Sequence, residues 1–117
     1  MSDQTTTVRE LRDLLAAFVA EREWQPFHDP KNLAASIAIE AAELMEHFQW
    51  LRTDELEAVR EDAEEMDAIR QEVADILAFL LSFANAMDID LSDALRDKMV
   101  LNARKYPPQE YRGRFKT

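Results

Sequence analysis

The chain has no cysteine, a single glycine (Gly113), four prolines and two histidines, His28 and His47, in 117 residues. Without cysteine there are no disulfides and no thiolate metal ligands, which suits a reducing compartment. So little glycine and proline leaves few positions for tight hairpin turns, which argues against an all-β fold. Long apolar runs are missing as well. The longest, residues 76–84, is interrupted by Ser82 and is too short to span a bilayer. Residues 1–7 are polar and lack the apolar stretch of a secretory signal, so the expectation is a soluble, cytoplasmic protein with no membrane partner. Cations are the minority charge, 14 against 24 acids, for a net charge of −10. A phosphate backbone would be repelled, which excludes general binding to a nucleic-acid polymer.

What the chain does contain is helix-forming material: 47% hydrophobic residues in a sequence dominated by alanine, leucine, glutamate and arginine. The length suits one domain, taken as residues 1–117, and no internal repeat is visible. Charge is unevenly distributed. Residues 104–117 carry five basic groups against Glu110 alone, while residues 54–75 carry ten acids and two arginines.

Four amphipathic helices follow from the spacing. Thr7 and Glu10 form the capping box of the first, whose stripe is Val8, Leu11, Leu15, Phe18 and Val19 and which ends near Glu23. Pro26 and Pro30 make the next segment an ordered loop. Asn32 caps the second helix, which runs to about Leu51 with Leu33, Ile37, Ala41, Leu44, Phe48 and Leu51 inward. A separate face carries Ser36, Glu40, Glu43, His47 and Trp50. A polar stretch to about Asp62 reads as a short helix or flexible arm. The third helix, roughly residues 64–87, has Met66, Ile69, Val73, Ile76, Leu77, Leu80 and Phe83 for its core, with Glu72, Asp75 and Phe79 on an adjacent face. Asp90 caps the fourth, to about Lys105, with Lys98, Asn102, Lys105 and Tyr106 sharing one side; Pro107 and Pro108 end it. Residues 1–6 and 108–117 are expected to be flexible tails. The fold class is therefore all-α, a four-helix bundle with one short extra helix.

Two acidic pairs carry the chemistry: Glu40-x-x-Glu43 and Glu72-x-x-Asp75. Carboxylates at i and i+3 project from one side of a helix, one turn apart. Either pair alone matches ordinary exposed helix acids. Both sit among apolar residues, where an uncompensated carboxylate is costly, and a divalent cation removes that cost. Oxygen ligands without cysteine favour Mg²⁺, with Mn²⁺ as a substitute, over zinc. A di-iron bundle requires Glu-x-x-His motifs on two helices. Here His47 follows Glu43 by four residues, and the third helix has no histidine.

Glu-x-x-Glu, 28 intervening residues and Glu-x-x-Asp resemble the metal motif of the all-α MazG-like nucleoside triphosphate pyrophosphohydrolases. Three flanking words are similar to the dCTP pyrophosphatase group within it: Ala-Glu-Arg-Glu-Trp-Gln-Pro-Phe-His-Asp-Pro-Lys-Asn-Leu (20–33), Glu-Leu-Met-Glu-His-Phe-Gln-Trp (43–50) and Lys-Met-x-x-Asn-x-x-Lys-Tyr-Pro (98–107). The resemblance implies a MazG-like bundle, assembled as a homodimer or homotetramer, that cleaves a (deoxy)nucleoside triphosphate to the monophosphate and pyrophosphate with Mg²⁺. It implies Glu40, Glu43, Glu72 and Asp75 as metal ligands and Trp24 and Trp50 as walls of the base pocket. It also implies Lys98, Asn102 and Tyr106 as triphosphate contacts, with Lys105 beside them. Glu43 is the candidate for orienting or deprotonating the attacking water. His28 either ties down its loop or contacts the base.

The chain departs from the group at two places. Animal members carry a histidine nine residues before the loop tryptophan and a tyrosine four residues after the last aspartate, where this chain has Leu15 and Phe79. Phe79 can stack on a base but cannot hydrogen-bond. The expected substrate is dCTP or a modified dCTP. The alternatives are dUTP or another non-canonical nucleotide, or a catalytically silent helical oligomer that binds a partner.

Overall fold

A computed structural model describes residues 1–114, and every regular element in them is helical. In order these are α1 (Val8–Glu21), α2 (Pro30–Glu46), α3 (Leu56–Glu61), α4 (Ala63–Met87), α5 (Leu91–Lys105) and α6 (Pro108–Tyr111), with 3₁₀ turns at Gln25–Phe27 and Thr53–Glu55. The all-α expectation holds. None of these helices is long and apolar enough to cross a membrane. The chain divides into two compact units, Met1–Met87 and Asp88–Thr117.

In the first unit α2 packs along α4, and α1 packs on α4. The start of α1 is as expected: the Thr7 hydroxyl accepts from the Glu10 N–H at 3.1 Å, and Glu10 accepts from the Thr7 N–H at 3.3 Å. Its end is a Schellman motif, with Trp24 N–H donating to the Val19 carbonyl and Glu23 N–H to the Ala20 carbonyl, both at 3.1 Å. Glu23 occupies the left-handed position at φ 52°, normally given to glycine. This turn delivers Trp24 and the loop behind it to the side of α1.

The cap of α2 differs from the sequence reading. Asp29, not Asn32, is the N-cap, its side chain accepting from the Asn32 N–H at 2.8 Å. Pro30 then sits at the first helical position, where its missing N–H has no cost. The helix ends at Glu46 rather than near Leu51, and residues 47–50 form turns. The polar stretch before α4 is ordered as a 3₁₀ turn and α3, and Asp62 Oδ1 accepts the Glu65 N–H to cap α4.

Burial also departs from the expected stripes. The core consists of Val19, Leu33, Ile69, Leu81 and Ala84, whereas Val8, Phe18, Met66, Val73, Leu77 and Leu80 are exposed. The helices carry more apolar surface than one chain covers. Arg12 is buried at a stripe position; its Nε donates to Asn85 Oδ1 at 3.0 Å, and Asn85 Nδ2 donates back to the Arg12 carbonyl at 3.0 Å. A further nitrogen of Arg12 donates to the Ala84 carbonyl in the last turn of α4, where the helix dipole favours a cation.

In the second unit Asp90 caps α5 by accepting from the Asp93 N–H at 2.9 Å. Pro107 and Pro108 do not open a structureless tail. They start α6, whose Tyr111 ring stands edge-on to Tyr106 with centroids 5.2 Å apart. The remainder of the expected C-terminal tail, from residue 115, lies outside the described residues. At the other end, residues 2–6 form a turn held by Thr5 and Thr6 N–H bonds to the Ser2 carbonyl.

Replacing Glu23 with glycine relieves the left-handed strain in the α1 cap. Glu23→Gly is expected to raise stability by about 0.5–1 kcal/mol, read as a higher urea midpoint with an unchanged slope. A lowered midpoint would mean that the glutamate side chain stabilises the cap in a way its backbone does not show.

Candidate functional site

Helices α2 and α4 bring three carboxylates together. One oxygen each of Glu40, Glu43 and Glu72 lies within 4.8 Å of the others, and all three residues are half-buried. The i, i+3 spacing on α2 aims Glu40 and Glu43 at α4, and the packing of the two helices supplies Glu72. Asp75, one turn beyond Glu72, is exposed and stands outside this trio, but its charge reaches Glu40. Burial, first, and then the close approach of the Glu72 and Glu43 side chains and the charges of Glu43 and Asp75 push the Glu40 carboxyl up from 4.5 to about 7.

Glu40 Oε2 and Glu72 Oε2 are shut off from water and have no hydrogen-bond partner among the described residues. Among the described residues no arginine or lysine forms an ion pair with any of the four acids. Desolvated oxygens that face one another without a donor are a costly arrangement in a protein alone. They are also the donor set a hard divalent cation prefers, so the residues fit such an ion.

A second feature lies beside the first. Phe18, Trp24, His28 and Phe79 form a chain of ring contacts with successive centroids 5.8, 6.0 and 6.4 Å apart. Next to it a cavity of about 410 Å³ opens between α1, the 3₁₀ turn and α4, bordered by Leu15, Val19, Gln25, His28, Ser82 and Asn85. Glu72, Asp75, Phe79 and Ser82 follow one another at helical spacing, so a single side of α4 runs from the carboxylates to this cavity. Seven residues of helix separate Glu72 from Phe79, roughly 10 Å. His28 Nδ1 is buried and, among the described residues, has no hydrogen-bond partner.

Trp50 is not part of this aromatic group. It lies beyond the end of α2 and is 85% exposed. His47, on the same expected face, is bound elsewhere, with Nδ1 2.6 Å from Glu65 Oε1 at the start of α4. In the second unit Lys98, Asn102, Lys105 and Tyr106 occupy α5 and its cap. Asn102 and Tyr106 are half-buried and the lysines exposed, and the Tyr106 N–H donates to the Asn102 carbonyl at 2.8 Å. The Lys105 ammonium lies 5.4 Å from the Tyr106 ring.

Sequence reasoning did not find Gln25, Ser82, Asn85 or Arg12. Ser82 was detectable, because it continues the spacing of Glu72, Asp75 and Phe79. Arg12 was also detectable, because Val8, Arg12, Leu15 and Val19 share one helical stripe. Gln25 and Asn85 carry no such signal.

A sequence model of the MazG-like family matches residues 35–116. The chain is 38% identical over 107 residues to dCTP pyrophosphatase 1 of Bos taurus, covering 92% of this chain and 63% of that protein. It is 38% identical over 101 residues to dCTP pyrophosphatase 1 of Homo sapiens, covering 86% of this chain and 59% of that one. The chain thus spans about three fifths of the length of these curated relatives. Among solved structures, a pyrophosphatase from Archaeoglobus fulgidus superposes with a TM-score of 0.78 at 39% identity, over 92% of this chain and 98% of that one. By the family match and by these relatives, the chain belongs to the MazG-like family.

Proposed function

We propose that the chain hydrolyses a (deoxy)nucleoside triphosphate, dCTP or a modified dCTP, to the monophosphate and pyrophosphate with Mg²⁺. The observation that carries this reading is the convergence of Glu40, Glu43 and Glu72 from two helices, with buried oxygens and, among the described residues, no cationic partner. The curated relatives named dCTP pyrophosphatase and the similar pyrophosphatase structure support the same reaction class. The family match runs through both compact units, which favours residues 1–117 acting as one functional domain. A nucleotide-pool activity in a chain without cysteine suits the cytoplasm.

In this reading Glu40, Glu43, Glu72 and Asp75 hold the metal, with Mn²⁺ able to substitute. The bound ion supplies charge neutralisation for the triphosphate and a lowered pKa for water. Glu43 orients or deprotonates the water that attacks the α-phosphorus. Lys98 and Lys105 donate to the departing pyrophosphate, and Asn102 and Tyr106 hold the triphosphate chain. Trp24 and Phe79 offer aromatic faces to the base, and Trp50, exposed beyond the end of α2, is not grouped with them.

A second copy of the chain is the proposed cover for the apolar surface left open on α4. Val73, Leu77 and Leu80 repeat at helical spacing and are 51%, 44% and 40% exposed. Such a continuous apolar strip marks an interaction surface.

Two measurements test the reaction. Glu43→Gln is expected to lower turnover of dCTP at least ~100-fold while the far-ultraviolet circular dichroism stays helical. Chromatography of the wild-type products should give monophosphate and pyrophosphate. Unchanged turnover, or diphosphate plus orthophosphate, removes the mechanism.

The metal reading also has a thermal signature. In metal-free protein Glu40 binds its proton more tightly folded than unfolded. Between pH 4.5 and about 7 the folded state therefore holds more protons, and its contribution to stability falls as pH rises through that window. Mg²⁺ relieves the repulsion among ionised carboxylates, so the rise in Tm on adding Mg²⁺ should be larger at pH 8 than at pH 5.5. Equal shifts at both pH values would detach Glu40 from the metal.

For the oligomer, sedimentation should show a dimer or tetramer that Leu77→Glu converts to a smaller species. A wild-type monomer would leave the α4 strip without its proposed cover.

A further inference from the structure

Two polar contacts cross the seam between α2 and α4, one repulsive and one attractive. At the first, Glu40 and Glu72 bring carboxylate oxygens together. At the second, His47 Nδ1 lies 2.6 Å from Glu65 Oε1. Between them α2 advances seven residues (40 to 47) while α4 goes back seven (72 to 65), so the helices run antiparallel and both contacts share one register. Seven residues are close to two turns, which puts the contacts on one side of each helix, roughly 10 Å apart. Glu43 stands between them on α2. Among the described residues no other pairing of a basic with an acidic side chain joins the two helices.

The attractive contact is anchored on both sides. His47 is the C-cap of α2, still on the helical path at φ −68° and ψ −17°, with its N–H donating to the Leu44 and Met45 carbonyls. The chain turns away beyond it, so His47 is the last side chain that α2 carries in register. Glu65 lies in the first turn of α4, where Asp62 Oδ1 accepts its backbone N–H at 3.1 Å. The end of α2 favours a donor and the start of α4 favours an anion, so the adjoining helix dipoles support the pair. An ionised carboxylate only accepts, which puts the hydrogen on His47 Nδ1. Nearby acids do not compete for it: Asp54 and Glu55 are paired with Arg52, and Asp62 is taken up by the α4 cap. With side chains 22% and 38% exposed, the pair is also more sheltered from solvent screening than the other ion pairs of the described residues.

We infer that His47 and Glu65 are a positioning pair for the metal centre: their hydrogen bond holds α2 on α4 at the separation where Glu40, Glu43 and Glu72 meet, against the mutual repulsion of those carboxylates. This rests on the metal reading above and deepens it. Neither side chain belongs to the acids proposed to hold the ion, and the effect passes through two turns of each helix. Without the bond the carboxylates relieve their repulsion by parting, and a cation must draw them back, which weakens its binding. A bond that only added stability would contribute equally to metal-free and metal-bound protein and leave the metal affinity unchanged.

The test titrates Mg²⁺ by calorimetry into the metal-free full chain at pH 8, for wild type, His47→Leu and His47→Asn. Loss of one sheltered hydrogen bond should raise the Mg²⁺ Kd of His47→Leu roughly three- to tenfold. His47→Asn, whose amide nitrogen stands as many bonds from Cα as the ring Nδ1, should recover most of that loss. By linkage, the rise in Tm at a fixed Mg²⁺ concentration should be smaller in His47→Leu than in wild type. An unchanged Kd, with Tm lowered equally in metal-free and Mg²⁺-loaded protein, makes the pair merely structural and overturns the inference. A Kd raised equally in both variants overturns it too, because the hydrogen bond would not be the cause. A wild-type chain that binds no Mg²⁺ removes the metal reading itself, and the inference with it. Where His47→Leu fails to fold, Glu65→Ala removes the same bond from the other side and is read against the same outcomes.

Discussion

The structure is organised around an unfavourable contact: three carboxylates, Glu40, Glu43 and Glu72, pressed together where water is partly excluded. Like charges at that range either take up a proton or require a cation. The position of Glu40, pushed up to about 7, shows the first response in the protein alone. The packing of α2 on α4 must therefore overcome the repulsion it creates. Leu33, 1% exposed near the start of α2, and Ile69 on α4 are among the apolar contacts that offset it.

The framework that holds this contact also builds the neighbouring cavity. Arg12 ties α1 to the last turn of α4 through Asn85 and the Ala84 carbonyl, so the walls of the cavity are fixed by hydrogen bonds from a buried guanidinium. The α1 cap turns the chain so that Trp24 meets Phe18 edge-on and His28 meets Phe79. Asp29 then starts α2 immediately after His28. Loop, cap and carboxylate helix are continuous in sequence.

Local chemistry was legible in the sequence wherever one interaction decided it. The capping box at Thr7 and Glu10 and the Asp90 cap are short-range and were read correctly. The α2 start lies at Asp29 rather than Asn32 because an acceptor before a proline at the first helical position is itself a start signal. The buried faces were read less well. Several residues of the expected α4 stripe face a side that the chain leaves open, and no single-chain pattern distinguishes a core from a surface awaiting a partner. Spacing and apolar context point to a meeting of four carboxylates; the structure groups Glu40, Glu43 and Glu72 and leaves Asp75 exposed outside the trio. The cavity was not legible, since Gln25 and Asn85 are ordinary polar residues until the fold assembles them.

Helix α4 shows why these features constrain one another. Glu72, Asp75, Phe79 and Ser82 lie on one side of it, and Val73, Leu77 and Leu80 lie roughly 150° around the helix at 3.6 residues per turn. The first side serves the carboxylate contact and the cavity; the second is the apolar strip proposed to meet another copy. Rotating the helix to bury the strip within the chain would carry Glu72 away from Glu40 and open the cavity wall. The helix therefore cannot satisfy its own apolar surface without giving up the acidic contact. An oligomer resolves the conflict by bringing the cover from outside, which links the proposed assembly to the proposed site through the geometry of one helix.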